Sequence, residues 1–167
     1  MKLIKNSTYS NVQLFWLVAL RVLIGWHFLY EGMVKMTNPN WSSVGYLLDS
    51  GGFLKGFYFW LAGNPLILRT IDYINIWGLI VIGLGLILGA LSRMFIIAGI
   101  ILLGLYYLSH PPFIGLRYSL PMEGSYLIVN NMLIELVALV VLFLFPTSRE
   151  IGLDWFIFPI KKNKLRN

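Results

Sequence analysis

The chain contains no cysteine among its 167 residues and only two histidines. Without cysteine there is no disulfide, no thiol relay, no cysteine-ligated iron–sulfur cluster and no covalently attached c-type haem. A catalytic zinc ion normally has three protein ligands, and a third imidazole does not exist here. Because the chain has no thiol group, any sulfur chemistry would need another subunit.

Charged side chains are also scarce, at 12% of the residues, whereas 58% are apolar. A soluble domain carries about 25% charged residues. The apolar residues form long blocks at 12–34, 71–91, 94–109 and 126–146. A helix needs ~20 such residues to cross a ~30 Å hydrocarbon core, and snorkelling of Arg93 extends the shorter third block. The sequence predicts a single all-α membrane domain, a four-transmembrane-helix bundle.

The first apolar block resembles a signal peptide only superficially. It is too long, contains Arg21 and Glu31, and lacks a small-x-small cleavage site. We expect it to be a retained helix.

The loop between the first two blocks, residues 37–70, is rich in aromatic residues and is broken by Gly-Gly and Pro. Ser42 or Ser43 is a candidate cap for a short helix through Leu48, and residues 53–61 predict a second one. Aromatic residues at this density are typical of the membrane–water boundary. These pieces are expected across the outer mouth of the bundle, either covering a site or simply floating at the interface.

The basic residues predict an orientation. With four spans, one side holds both termini and eight basic residues: Lys2, Lys5, Arg93, Arg149, Lys161, Lys162, Lys164 and Arg166. The other side holds four: Lys35, Lys55, Arg69 and Arg117. The positive-inside rule places both termini in the cytoplasm, with residues 147–167 as a basic cytoplasmic tail. Its last seven residues, "KKNKLRN", are expected to bind anionic lipid headgroups. No folded basic surface accompanies that tail, so nucleic acid is not an expected partner.

The stretch "GWHFLYEGMVK" places His27, Glu31 and Lys35 four residues apart, on one helix face near the outer end of the first span. Other polar residues are expected at the same level, near the ends of the other three spans: Asp72, His110, Asn130 and Asn131, with Asn75 close by. Aromatic stacking surface would come from Trp26, Tyr30, Trp77 and Tyr106.

A set of polar residues at one depth of the bundle suits a quinone headgroup, which needs hydrogen-bond donors at two carbonyls and a protonatable group nearby. His27 and Glu31 are the candidate catalytic, proton-handling residues, and the remaining polar and aromatic residues are candidate ligand-binding residues. Two alternatives remain open. Glu31 and Lys35 can form a simple i,i+4 ion pair with both histidines as boundary residues, or the two histidines can ligate haem b.

Two charges lie deeper. Arg21 is ~14 Å below Tyr30, and Glu135 is ~14 Å below Tyr126, if both tyrosines mark the outer boundary. Opposite charges stranded at equal depth in lipid are expected to pair. The pair would either fix helix register or leave Glu135 to carry protons or face a ligand.

The segments "LRVLIGWHFLYEGMVKM" and "EGSYLIVNNMLIELVALVVL" resemble the DoxX/DoxD-like family of small four-helix bacterial membrane proteins. The most specific part runs from Arg21 to Lys35 through Gly25, Phe28 and Gly32, and the second anchor ends at Glu135. That family includes the small membrane subunit of thiosulfate:quinone oxidoreductase. The resemblance implies a multi-pass protein of the bacterial inner membrane with a role in quinone-linked electron transfer or as a membrane scaffold for an oxidoreductase.

Three functions remain open from the sequence. The chain is a quinone-binding subunit of an oxidoreductase, or a non-catalytic anchor or assembly factor for a partner redox enzyme, or a small-solute transporter. The last would require a homo-oligomer, since four helices show no inverted repeat.

Overall fold

The computed structural model describes residues 9–120 and 127–157, which form seven helices and no extended strand. In chain order they are α1 (Asn11–Thr37), α2 (Val44–Leu48), α3 (Lys55–Gly63), α4 (Pro65–Leu88), α5 (Ser92–Ser109), α6 (Asn131–Leu144) and α7 (Asp154–Ile157).

Three of these helices, α1, α4 and α5, are long and apolar enough to cross a bilayer. The 14 residues of α6 are equally apolar, but at 1.5 Å per residue they measure ~21 Å against a ~30 Å core. The chain is therefore an all-helical membrane protein, and the fourth span stays a prediction.

Local capping explains where the long helices begin. The Asn64 side chain accepts hydrogen bonds from the backbone N–H groups of Leu66 and Ile67, at 3.1 and 3.3 Å, and Pro65 occupies the first turn. The second long helix thus starts at Pro65, six residues before the predicted block at 71. The two short helices expected in the preceding loop are present as α2 and α3.

The closest helix contact joins α1 to α4 through glycines. An added Cβ on Gly83 would lie 2.5 Å from the Leu29 nitrogen and 2.6 Å from the Gly25 carbonyl oxygen. One on Gly32 would lie 2.9 Å from the Ile80 nitrogen. Small residues let backbones approach this closely in membranes. Beside this contact, α5 packs on both α4 and α6, and a core of aliphatic side chains around Phe28 fills the centre.

The segment after α6 folds back on the bundle, so the first part of the predicted tail at 147–167 packs against the helices. Buried Arg21 donates hydrogen bonds to the Thr147 hydroxyl, at 3.0 Å, and to the Ile151 carbonyl, at 2.7 Å. The Asp154 carboxylate accepts from the backbone N–H groups of Leu91 and Ser92, at 2.6 and 3.2 Å, and so caps the start of α5. The basic residues of 158–167, like Lys2 and Lys5, lie outside the described residues.

The glycine contact predicts the effect of a single methyl group. Gly83→Ala should lower the apparent melting temperature in detergent by several degrees, because overpacking a tight contact costs about 1–3 kcal/mol. Gly78→Ala is the matched control on the same helix, since an added Cβ there meets nothing within 4 Å. Equal melting temperatures for the two variants would contradict the α1–α4 contact.

The returning segment predicts a second stability effect. Asp154→Ala should destabilise the protein, because the loss of a helix cap costs about 1 kcal/mol and the variant also deprives buried Arg21 of a nearby countercharge. Glu150→Ala removes a carboxylate that makes no hydrogen bond among the described residues and should be near neutral. Thermal unfolding in detergent measures both, and an Asp154 variant as stable as wild type would rule out the cap.

Candidate functional site

A cavity of about 520 Å³ lies among the C-terminal halves of α1 and α5, the middle of α4 and the start of α6, beside the loop that follows α1. Its apolar lining includes Phe28, Leu79, Leu103 and Met132. Seven polar or charged side chains of the four helices also line it: His27, Glu31, Lys35, Asn75, Tyr106, Asn131 and Glu135. Apolar walls with a few convergent polar groups are typical of small-ligand sites.

One wall carries a hydrogen-bond chain, here called the donor chain, formed by Lys35, Asn75 and Tyr106. The Lys35 ammonium donates to Asn75 Oδ1 at 3.1 Å, and Asn75 Nδ2 donates to the Tyr106 hydroxyl oxygen at 2.5 Å. A lysine ammonium can only donate, so the orientation of the Asn75 amide is fixed. Lys35 keeps two N–H donors and Tyr106 keeps its O–H.

Aromatic rings flank the ammonium group of Lys35. Its Nζ lies 5.2 Å from the ring centre of Trp41 and 5.5 Å from that of Tyr106. These distances are within the range of cation–π attraction. In the part of the chain that the structure describes, no carboxylate lies within ion-pair distance of this ammonium. The Glu31–Lys35 ion pair, one of the alternatives that the sequence left open, is therefore not formed in this structure.

The other end of the cavity carries an imidazole–carboxylate pair. His27 Nδ1 lies 2.9 and 3.0 Å from the two oxygens of Glu135. The pair bridges α1 and α6, which otherwise touch little because α1 packs mainly on α4 and α6 on α5. The His27 side chain is 56% exposed and that of Glu135 15%. The pair thus links two helices that pack loosely on each other.

The predicted Arg21–Glu135 pair is wrong, because the assumed depth of Glu135 is wrong. The last predicted span begins at Tyr126, which lies outside the described residues, whereas α6 begins at Asn131. Glu135 is therefore ~6 Å from the start of its helix rather than ~14 Å below its outer boundary. That shift of about five residues aligns it with His27 and leaves Arg21 for the segment after α6.

Two carboxylates tie the loops around the cavity to the bundle. Asp72 accepts from the Ser42 hydroxyl at 2.8 Å and from the Ser43 backbone N–H at 2.9 Å, and both serines line the cavity. Asp49 accepts from the backbone N–H groups of Ser119 and Leu120, at 2.8 and 3.0 Å. Leu120 also lines the cavity.

His110 belongs to the layer behind the cavity. It is fully buried, its Nδ1 lies 2.7 Å from the Ser109 hydroxyl, and its ring centre lies 4.1 Å from that of Tyr46 and 4.8 Å from that of Tyr118. Its Nε2 is 3.7 Å from Asp49 Oδ2. His27 borders the cavity and His110 does not, so the pair of histidines does not fit a haem b site.

Three predicted aromatic ligands point away from the cavity. Trp26, Tyr30 and Trp77 are 57%, 56% and 54% exposed, and the cavity lining includes none of them. On α1 the buried stripe runs through Gly25, Phe28 and Gly32, and the 100° step per residue turns Trp26 and Tyr30 to the opposite face. In a bilayer that face meets lipid.

The remaining predicted residues divide between the cavity and its support. His27, Glu31, Lys35, Tyr106 and Asn131 line the cavity together. Asp72 and His110 do not line the cavity: Asp72 accepts hydrogen bonds from the lining serines, and His110 is buried in the layer behind. Asn130 caps α6 by accepting from the Leu133 N–H at 2.9 Å.

Sequence reasoning missed Trp41 and Tyr46 as lining residues and placed Glu135 elsewhere. The N-cap pattern could have revealed the position of Glu135. Asn130 directly before an apolar run marks the start of α6, and the distance of Glu135 along the helix axis follows from that start.

Within residues 9–120 and 127–157, no group of three or more His, Asp or Glu side chains is placed to hold a metal ion. Comparison with family models, with curated proteins and with solved structures found no match to this chain.

The cluster around His110 predicts a pH dependence of stability. Burial lowers the pKa of His110, and the Asp49 carboxylate opposes that shift without reversing it. The unfolded chain therefore takes up this proton more readily than the folded protein, and stability falls as the pH drops below the ordinary histidine value of about 6.5.

Other groups around His110 titrate elsewhere. Burial alone would raise the pKa of Asp49, but hydrogen bonds from the Ser119 and Leu120 N–H groups outweigh it and lower that pKa. Burial raises the pKa of Tyr46 and Tyr118, so neither ionises in acid.

Melting temperatures measured from about pH 7.5 to about pH 5 should fall more steeply for wild type than for His110→Gln, in which the group is absent. His27 remains in both proteins, so the difference between the two slopes isolates His110. Parallel slopes would contradict the assignment.

Proposed function

We propose that this chain is a membrane subunit of a quinone-linked oxidoreductase system and that its cavity holds a quinone headgroup or a similar small ligand. The observation that carries the proposal is the pairing of two different polar ends in one apolar cavity. The donor chain lies at one end, and the His27–Glu135 pair lies at the other. A bound quinone would supply two-electron chemistry coupled to two protons.

The cavity fits such a headgroup in size and in chemistry. Its volume of about 520 Å³ lies within the usual range of ~300–1,000 Å³ for small-molecule sites. Lys35 and Tyr106 offer donors to a carbonyl oxygen, while Phe28, Leu79 and Leu103 offer apolar surface to a ring.

The His27–Glu135 pair can handle a proton. An ionised Glu135 only accepts hydrogen bonds, so the hydrogen between the two side chains sits on His27 Nδ1. In the neutral ring this leaves Nε2 as an acceptor, and it makes no hydrogen bond among the described residues. His27 is therefore the base in this proposal, with Glu135 stabilising the imidazolium. Glu31, one helical turn away, is the second carboxylate on the same face.

Placement in the membrane is part of the same proposal. The distribution of basic residues supports cytoplasmic termini and a cavity near the outer face. We take α6 as the fourth span, extended by flanking residues. The resemblance of the Arg21–Lys35 and Glu135 segments to DoxX/DoxD-like proteins supports the bacterial inner membrane and a partner redox protein.

An alternative function, a non-catalytic anchor for a partner redox enzyme, draws on a different surface. The loop after α1 exposes Phe53, Phe57 and Trp60, and the last two rings stack at 6.3 Å. These rings suit either a membrane interface or a protein partner. An anchor does not require the cavity to bind anything.

Quinone content separates these functions. Detergent-purified wild type should retain near-stoichiometric menaquinone or ubiquinone, and Asn75→Leu should retain far less. Asn75 holds the Lys35 and Tyr106 donors in place, and a loss of ~1 kcal/mol from each of their hydrogen bonds to the quinone corresponds to at least about tenfold weaker binding.

Trp77→Phe is the matched control, since Trp77 lies two residues along the same helix and faces away from the cavity. It should retain quinone like wild type. Only traces of quinone in wild type would reject the proposal and favour the anchor.

A further inference from the structure

Lys35 carries a charge in the cavity that lacks an ion-pair partner among the described residues and faces ordered groups on several sides. Its ammonium uses one of three protons on Asn75 Oδ1, and two aromatic rings flank it. A charged side chain inside a membrane protein is costly unless it is paired or used. The ring contacts and a single neutral amide replace only part of the hydration that the Lys35 ammonium would have in water.

Tyr106 adds a further donor beside this charge. Its hydroxyl oxygen accepts from Asn75, so its own hydrogen remains available. Two N–H groups and one O–H group, all held by the same amide, therefore lie at one end of the cavity. Such a set favours a negatively charged oxygen over a neutral carbonyl, because charge-assisted hydrogen bonds are roughly twice as strong as neutral ones.

The carboxylates of the cavity reduce this preference, but none of them makes an ion pair with Lys35. Glu135 is engaged with His27, which lies eight residues or ~12 Å along α1 from Lys35. Glu31, halfway between, acts electrostatically on both Lys35 and Tyr106 but makes no ion pair with Lys35. The cavity is thus bipolar, with positive charge at the Lys35 end.

We propose that the Lys35–Tyr106 end of the cavity is a subsite for an anionic oxygen, so that the preferred ligand is a lipid-soluble molecule with an acidic hydroxyl or a carboxylate. This inference rests on the proposed function, since it names the group that the same cavity would hold. Two sources fit the chemistry: an acidic hydroxyl on a quinone ring and a fatty-acid carboxylate.

The test compares two probes that differ in charge. A 2-hydroxy-3-alkyl-1,4-naphthoquinone is an anion at neutral pH, and its 2-methoxy analogue is neutral. Wild type in detergent should bind the hydroxy probe about ten- to a hundredfold more tightly. Lys35→Met should abolish that preference.

Lys55→Met is the matched control. Lys55 also lies against an aromatic ring, 5.0 Å from the centre of Phe59, but it does not line the cavity. It should keep the wild-type preference. If Lys35→Met does not fold, Tyr106→Phe takes its place, and it should reduce the preference by removing one donor while leaving the charge.

The outcomes separate the two proposals. Equal binding of both naphthoquinones by wild type, or an unchanged preference in Lys35→Met, overturns the anionic subsite and leaves the quinone proposal standing. Lys35-dependent binding of palmitate without binding of either naphthoquinone supports the subsite and rejects the quinone. Binding of none of the three probes rejects both.

Discussion

The close approach of α1 and α4 is the constraint on which the rest of the structure depends. Gly25 and Gly32 on α1 meet Gly83 and Ile80 on α4 with no room for a side chain. This contact fixes the rotation of α1 about its axis. His27, Glu31 and Lys35 then border the cavity, and the tryptophan and tyrosine rings between them face lipid. Packing, not polarity, decides which side chains of this helix are available for chemistry.

The two ends of the bundle use buried charge differently. At one end Arg21 and Asp154 hold the returning chain segment with hydrogen bonds to backbone groups and to a hydroxyl, so the charges serve the fold. At the other end Lys35 and the His27–Glu135 pair surround open space. Loops held by Asp49 and Asp72 border that space. A partly buried charge beside a cavity points to a ligand, whereas a fully buried one bonded to its own backbone points to stability.

Much of the fold is visible in the sequence because bilayer thickness imposes long apolar runs. The three long helices and the two short helices of the first loop follow from hydropathy and turn residues. The convergence of His27, Glu31, Lys35, Tyr106 and Asn131 follows from chain order, since all lie near helix ends on one side. These features depend on local pattern.

The wrong predictions concern which side chains lie together. Such contacts depend on the axial position and the rotation of each helix, which a sequence pattern does not fix. An error of five residues in the start of α6 placed Glu135 beside Arg21 instead of His27. The prediction that Trp26 and Trp77 stack on a ligand was wrong, because composition does not reveal which helix face a glycine contact buries. Asp154 as a cap for α5 depends on a chain reversal with no sequence signature.

The most direct test of the central claim is to map where a quinone contacts the protein. An azido-labelled menaquinone analogue, photolysed with the protein in native-like bilayers and followed by peptide mass spectrometry, reports those contacts. The present account predicts labels on cavity residues such as Leu103, Met132 and Tyr46, which an excess of unlabelled menaquinone suppresses. Labels confined to lipid-facing positions such as Trp26 and Trp77, and insensitive to competition, would contradict it.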